Sequence, residues 1–453
     1  MGISIAAARS AARLPALWRA GLVTFAVLAS LAIASVEARA VEIQTVETPG
    51  GLTAWLVEDH TVPIVAVNFA FAGGSAQDPD GKEGLANLMA ATLDEGAGEL
   101  DSQAYRQRLE ELAVKISFDA GRDAFYGSLR TLTPNVDDAF DLLRIAVNEP
   151  RFDADAVERM QRQIISGLRR EQKDPDAIAS RVMAETAFPD HPYGRPSSGT
   201  EESVSALTPA DLKALHGRLV ARGDLTISVV GAIGAERLAA LLDKTFADLP
   251  EQAELAPVAD VTPKTGIRKD VAFDVPQTSI RLALPGLKRD DPDFIPAFVM
   301  NHILGGGSFS SWLYEEVREK RGLAYSVGSY LVPYDHSGAF MAATGTRSDR
   351  APDTIAIIAA QMQRMAEVGP SADELAKAKA FLTGSYALRF DTSDKIASQL
   401  LGIQMEKLGL DYIDKRNALI EAVTLDDIRR VAKRLLADIA CDNILRRTCC
   451  SSF

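Results

Sequence analysis

Apolar and polar positions along this chain change period several times, and each change predicts an element. Between 53 and 75 the run TAWLVEDHTVPIVAVNFAFAGGS alternates in the manner of paired strands. KISFDAGRDAFYGSLRTL, 115–132, predicts another hairpin, and LTISVVGAIG, 225–234, reads as a buried strand. Helical spacing appears in DADAVERMQRQIISGLRREQ, 153–172, and again in SADELAKAKAFLTGSYALRF, 371–390, opened by Asp153 and Ser371, side chains able to cap a helix. The mixture predicts an α+β fold, with helices packed on largely antiparallel sheets.

The two helical runs are related. Asp174-Pro-Asp-Ala-Ile-Ala-Ser recurs as Asp391-Thr-Ser-Asp-Lys-Ile-Ala-Ser, and placing Ile178 on Ile396 gives an offset of 218 that also puts Ala154-Asp155 on Ala372-Asp373. LTPADLKALHGRL, 207–219, likewise resembles VTLDDIRRVAKRLL, 423–436. A repeat of this length is a duplicated domain, because solenoid units run to only about 20–50 residues. The Pro-, Ala- and acid-rich stretch 251–267 has linker composition. The expected organisation is therefore a leader at 1–40, a first domain at 41–250, a linker at 251–267 and a second domain at 268–453.

Composition narrows the setting. The 453 residues are 47% hydrophobic and 25% charged, an ordinary globular balance that can bury a substantial core. Arg9, Arg13 and Arg19, the apolar run LVTFAVLASLAIA and Ala38-Arg39-Ala40 give residues 1–40 the layout of a secretory signal peptide, with an uncleaved anchor as the alternative. The apolar run is shorter than the roughly 20 residues a bilayer needs, so the expected product is an exported, periplasmic chain. Removing those residues takes away four basic side chains and one acidic one, moving the net charge from −13 to −16, which disfavours nucleic acid as a partner. Cys441, Cys449 and Cys450 all fall in the last thirteen residues, leaving the body without a disulfide framework.

The stretch Gly73–Gly98, GGSAQDPDGKEGLANLMAATLDEGAG, on a duplicated α+β plan, resembles the M16 (pitrilysin and insulinase) metallopeptidase family, whose shorter members run to two such halves. The resemblance covers roughly 41–440 and implies a helix that in active members carries H-x-x-E-H, two histidines gripping zinc and a glutamate acting as base. Here those positions are Asn87, Ala90 and Ala91. Asn is a poor zinc ligand and Ala offers no donor, so no metal is expected in this chain. The family's further acidic ligand falls near Gly167 and Leu168, with Glu171 close by, and those first two are not acids. The five histidines, His60, His191, His216, His302 and His336, are nowhere closer than 25 residues apart, and the plain reading of His191 is a loop residue held by local hydrogen bonds.

The second half keeps a different part of the family pattern. LGGGSFSSWLYEEVREKRGLAYSVGSYL, 304–331, resembles the segment that in active members brings an Arg and a Tyr to the zinc site, here Arg318 and Tyr325. A guanidinium and a phenol donate hydrogen bonds to a carbonyl oxygen on which negative charge develops. The plainer alternative is an Arg on a solvated helix face and a Tyr packed on a sheet. Gly305, Gly306 and Gly307 suit a substrate-binding or interface loop, or simply a loop ahead of a helix.

Some bacterial members divide labour between two chains, and this sequence has the Arg/Tyr set without H-x-x-E-H. The resemblance thus implies a non-catalytic, substrate-binding subunit of an exported heterodimeric zinc metallopeptidase, with zinc in the H-x-x-E-H partner and a peptide or unfolded protein as substrate. The alternative from another class is a structural or peptide-binding scaffold; a self-sufficient hydrolase lacks any G-x-S-x-G elbow to support it. Near the end the pattern breaks: after Asp438 the chain reads IACDNILRRTCCSSF where the first half supplies LTISVVGAIG. The second sheet is expected to lose a strand, and a frameshifted or truncated terminus is one explanation.

Overall fold

The computed structural model describes residues 42–437. The expected signal peptide, the three cysteines and the terminus from Asp438 onward lie outside the described residues. Among the described residues no helix is long and apolar enough to cross a membrane.

In the first half β1 (Gln44–Glu47), β2 (Thr53–Glu58) and β3 (Ile64–Ala72) lead to helix α1 (Leu85–Thr92). The two-residue strands β4 (Gly96–Ala97) and β5 (Leu100–Asp101), helix α2 (Ser102–Glu111) and the hairpin β6 (Lys115–Ala120) and β7 (Ala124–Leu132) follow. Then come α3 (Val136–Asn148), α4 (Ala154–Glu171), α5 (Pro175–Ala187), α6 (Glu201–Ala206), α7 (Pro209–Leu219), β8 (Thr226–Gly231) and α8 (Ala235–Phe246). The second half runs β9 (Gln277–Pro285), α9 (Phe294–Asn301), β10 (Ala324–Tyr334), β11 (Ser337–Arg347) and α10 (Ala351–Glu367). It ends with α11 (Ala372–Gly384), α12 (Ser393–Met405), α13 (Tyr412–Ala422) and α14 (Leu425–Leu436).

Six strands form the first sheet in the order β1-β2-β8-β3-β7-β6, antiparallel throughout except that β8 runs parallel to β2. The alternating run 53–75 predicts β2 and β3 as a pair, but β8 lies between them. Alternation records that a strand has two faces and does not say which strand is its neighbour. β8 is buried at every position after Thr226, and a strand covered on both faces belongs at the centre of a sheet.

The duplication is visible in the caps. Thr208 accepts the N–H of Asp211 at the start of α7 while the Asp211 carboxylate accepts the N–H of Thr208, and Thr424 and Asp427 repeat the arrangement on α14. Such a reciprocal cap satisfies two of the donors that a helix start leaves unpaired. The helix opened by Ser371 stops at Gly384, and 386–390 form a 3-10 turn, shorter than the sequence period suggests.

Each half has its own core, one drawn from Val46 to Leu249 and the other from Leu287 to Leu436. The equivalent helices α5 and α12 are exchanged between them. α12 lies on β3 and β8, where Ser228 Oγ donates to the carbonyl of Ala397 at 2.7 Å. α5 lies on β9, where Arg281 donates to Asp176 at 2.7 Å and to Ser180 Oγ at 3.2 Å. Residues 251–267 contain no helix or strand, yet their backbone is pinned: Gln77 bonds both the N–H and the carbonyl of Ala256, Val261 N–H donates to His336 O at 2.8 Å, and Lys264 N–H donates to Ala187 O at 2.8 Å.

Only three strands, in the order β10-β11-β9, make up the second sheet among the described residues.

Candidate functional site

The helix that aligns with the family's metal motif is α1. Its first turn is held by Asp78, whose carboxylate accepts the N–H groups of Gly84 and Ala86, each at 2.9 Å. Burial pushes the Asp78 carboxyl up to about 7, against the lowering effect of those N–H groups and of Arg195. Asn87 is partly exposed, Ala90 is buried and Ala91 is half-buried. Ala90 belongs to the first core, and Ala91 packs against the same cluster as Met160 and Ile164 of α4. The face that would present ligands thus offers two alanines in or against the apolar core and one partly exposed amide.

On α4, Gly167 supplies no side chain, Leu168 is buried and Glu171 is exposed close to the helix end. Glu95, just beyond α1, is buried and engaged: Ser102 Oγ donates to it at 2.6 Å, and Arg159 and Arg106 pair with it. Among the described residues no three His, Cys, Asp or Glu side chains gather so as to hold a metal ion. The donor set at Asn87, Ala90 and Ala91 does not fit zinc.

Each histidine has a local occupation. His60 pairs with Glu58 at 2.7 Å on the surface. His191 caps a 3-10 turn: its Nδ1 accepts the N–H of Tyr193 and its Nε2–H donates to the carbonyl of Ala259 at 2.9 Å. His216 donates from Nε2 to Val147 O at 2.8 Å, and burial lowers its pKa. His302 stacks on Phe381 with ring centroids 5.1 Å apart, and His336 faces Asp260 at 3.4 Å.

Arg318 and Tyr325 are brought together. Tyr314–Glu319 forms a π-helical turn, and Gly322, at φ +58°, reverses the chain after it, with its N–H donating to Arg318 O at 2.9 Å. β10 then starts with an irregularity between Ala324 and Val327, which leaves Tyr325 and Ser326 out of register with β11. The guanidinium carbon of Arg318 sits 4.6 Å from the Tyr325 ring centre and 4.8 Å from that of Tyr314. Tyr314 in turn meets Phe309 edge-on at 5.0 Å.

Stacking between two rings fixes the direction of a long side chain without consuming its N–H donors. Tyr325 is 83% exposed and Phe309 76%, so this cluster is a surface feature. The plainer expectation of a Tyr packed on a sheet does not describe it. Among the described residues no hydrogen bond, ion pair or ring contact joins Arg318 or Tyr325 to α1.

The three glycines differ from the expected loop. His302–Gly306 continues α9 as a π-helical turn, closed by Gly307 N–H donating to His302 O at 2.8 Å. Gly305 is buried because this turn presses on β10: a Cβ there would lie 2.4 Å from Ser329 Oγ and 2.7 Å from its backbone nitrogen. Close backbone approach is thus used within the fold at Gly305, while Gly306 and Gly307 remain at least partly exposed. Phe309 and Tyr314 were missed in the sequence. Tyr314 had a legible signal, since it lies one helical turn before Arg318.

Comparison with known proteins adds an independent line. The signature described as "Insulinase (Peptidase family M16)" matches residues 53–201, and that described as "Peptidase M16 inactive domain" matches 206–382. The non-peptidase homolog YmxG of Helicobacter pylori is 28% identical over 340 residues, 74% of this chain and 78% of that one. An uncharacterized zinc protease of Mycobacterium bovis is 30% identical over 308 residues, 66% of this chain and 69% of that protein. A crystal structure of a peptidase M16 inactive domain from Pseudomonas fluorescens superposes with a TM-score of 0.82 at 31% identity, covering 87% of this chain and 95% of its own. With both halves matched in order, on a two-domain α+β fold shared with that structure, this chain belongs to the M16 (insulinase) peptidase family.

Proposed function

We propose that this chain is a non-catalytic M16 subunit that lends Arg318 and Tyr325 to the substrate at the active site of a partner bearing H-x-x-E-H. The carrying observation is the contrast between two places in one molecule. Where the family's metal ligands would stand there are two alanines in or against the core and an asparagine, whereas the guanidinium of Arg318 is stacked on the exposed ring of Tyr325.

That contrast supports a division of labour. A stacked guanidinium and a free phenol can both donate to the carbonyl oxygen of a bound peptide, and donors fixed before the reaction favour the charge that develops there. Similarity to a non-peptidase homolog and to an M16 inactive domain supports the same reading. In this reading zinc resides in the partner, the substrate is a peptide or unfolded protein, and residues 1–40 direct export to the periplasm.

The test is reconstitution. Residues 41–453, purified alone, are expected to cleave no peptide and to carry no stoichiometric zinc, and mixing with the H-x-x-E-H subunit should produce activity. Arg318→Ala or Tyr325→Phe should then lower turnover of the complex by about 10²–10³ with assembly intact. Unchanged turnover in both variants would turn the assignment toward a scaffold. Zinc and cleavage in the lone chain would end it.

A further inference from the structure

Acidic side chains outnumber basic ones in this chain, 62 to 49, and most arginines among the described residues stand against an acid. Three arginines of the second half depart from this. Arg289 lies between β9 and α9, Arg389 in the 3-10 turn 386–390, and Arg416 on α13. They gather around two tyrosines. The guanidinium carbon of Arg416 is 4.0 Å from the Tyr386 ring centre, that of Arg289 is 5.5 Å from the ring centre of Tyr412, and Arg289 Nη2 donates to the Tyr412 hydroxyl at 2.8 Å. The charge of Arg389 acts on both Tyr386 and Arg416.

Among the described residues none of the three makes an ion pair. Acids close by in sequence are committed elsewhere: Asp291 to Arg434, Asp293 to Arg430, Asp391 to Lys395 and Asp411 to Lys415. Asp290 and Asp414 are exposed and pair with none of the three. Glu406 feels the charge of Arg289 without pairing with it, and burial, Asp335 and Asp290 hold its carboxyl above the usual range.

Arg416 is only 5% exposed. Its Nη1 donates to Leu382 O at 3.1 Å, in the last turn of α11, and to Asn417 Oδ1 at 3.2 Å, and both acceptors are neutral. A cation is favoured at a helix C-terminus and over a ring face, which explains where this side chain lies. Those contacts leave three like charges together. Burial, with Arg389 and Arg289 alongside, works against the charge of Arg416, and a buried charge without a counter-charge is costly. Nε and Nη2 of Arg416 and the whole guanidinium of Arg389 donate to no group among the described residues.

We propose that Arg289, Arg389 and Arg416 form a binding site for a phosphate group, which supplies their counter-charge. A guanidinium presents paired N–H donors that match two oxygens of an oxyanion. Phosphate carries a charge of about −1.5 to −2 near neutral pH and offers three acceptor oxygens, so it answers three cations better than the single charge of a carboxylate. The hydroxyls of Tyr386 and Tyr412 add two further O–H donors at the same place. The site is separate from Arg318 and Tyr325 and does not rest on their role.

The probe is inorganic phosphate, titrated into the full chain beside sodium chloride of matched ionic strength, with the thermal midpoint and the heat of binding as readouts. Phosphate is expected to raise the midpoint saturably and chloride is not, since a ligand held by the native state alone stabilises it. Arg389→Ala, at an exposed position, should weaken phosphate binding by about tenfold or more through loss of a charge-assisted hydrogen bond. Arg416→Lys, which keeps the charge and removes the fork, should weaken it as well, and Arg389→Ala decides alone where that variant does not fold. Arg162→Ala, a surface arginine paired with Glu158, should bind as the wild type does. Competition by free phosphoserine places an esterified phosphate in the site, and its absence the free anion. No saturable response, a response that chloride reproduces, or equal binding by the wild type and Arg389→Ala overturns the proposal. The titration uses the lone chain and needs no peptidase activity, so its outcome is distinct from that of the reconstitution.

Discussion

Residues at the two ends of the functional argument behave oppositely. Tyr325 is exposed and Arg318 half-buried beside it, while Asp78 is buried and holds the start of α1. The Asp78 carboxyl, raised to about 7, keeps its proton in the native state at pH values where the unfolded chain has lost it. Its contribution to stability is therefore fully present below about pH 4 and is lost as pH rises through 7. Replacing it removes that dependence, so the difference in urea midpoint between the wild type and Asp78→Asn should change steadily between pH 4.5 and 8, the wild type losing ground at the higher pH. A difference that does not vary with pH would show that Asp78 ionises normally. Arg318 and Tyr325 were legible in the sequence through R-E-K-R-G-L-A-Y, but the cap by Asp78 was not, because a loop side chain reaching a helix start six residues later leaves no period.

At the scale of elements, glycine and helix width set the geometry. The π-helical turn His302–Gly306 lies against Ser329 of β10 only because Gly305 has no side chain. Gly305→Ala should destabilise the chain by about 1–3 kcal/mol, read as a lower midpoint in chemical unfolding. An unchanged midpoint would mean that the turn can move away and that Gly305 serves another purpose. The caps of α7 and α14 were readable from Thr208 with Asp211 and Thr424 with Asp427, since a capping box is local in sequence, whereas Asp153, expected as a cap, makes no side-chain cap hydrogen bond and pairs with Arg151 instead. The neighbour of β2 was not readable, since β8 is far away in sequence and enters between β2 and β3 for reasons of burial.

At the scale of the whole molecule, the exchange of α5 and α12 makes each half cover the other's sheet. Ala70 and Ala124 of the first sheet are buried beneath Leu401 of α12. A fragment ending at 267 would leave that face open to water. It is expected to bind a hydrophobic dye and to associate, whereas the full chain does neither. A monomeric, dye-silent fragment would show that the first half can close its sheet unaided.

The sequence by itself determined the fold class, the duplication, the capping boxes and the residue types at Asn87, Ala90 and Ala91, because each is written in residue identity, period or short spacing. Only the tertiary structure decided that β8 parts β2 from β3, that Gly305 belongs to a helical turn, that Tyr314 and Tyr325 enclose Arg318, and that α5 and α12 change places between the halves. Those depend on which buried surfaces meet, and burial is a property of pairs of segments distant along the chain.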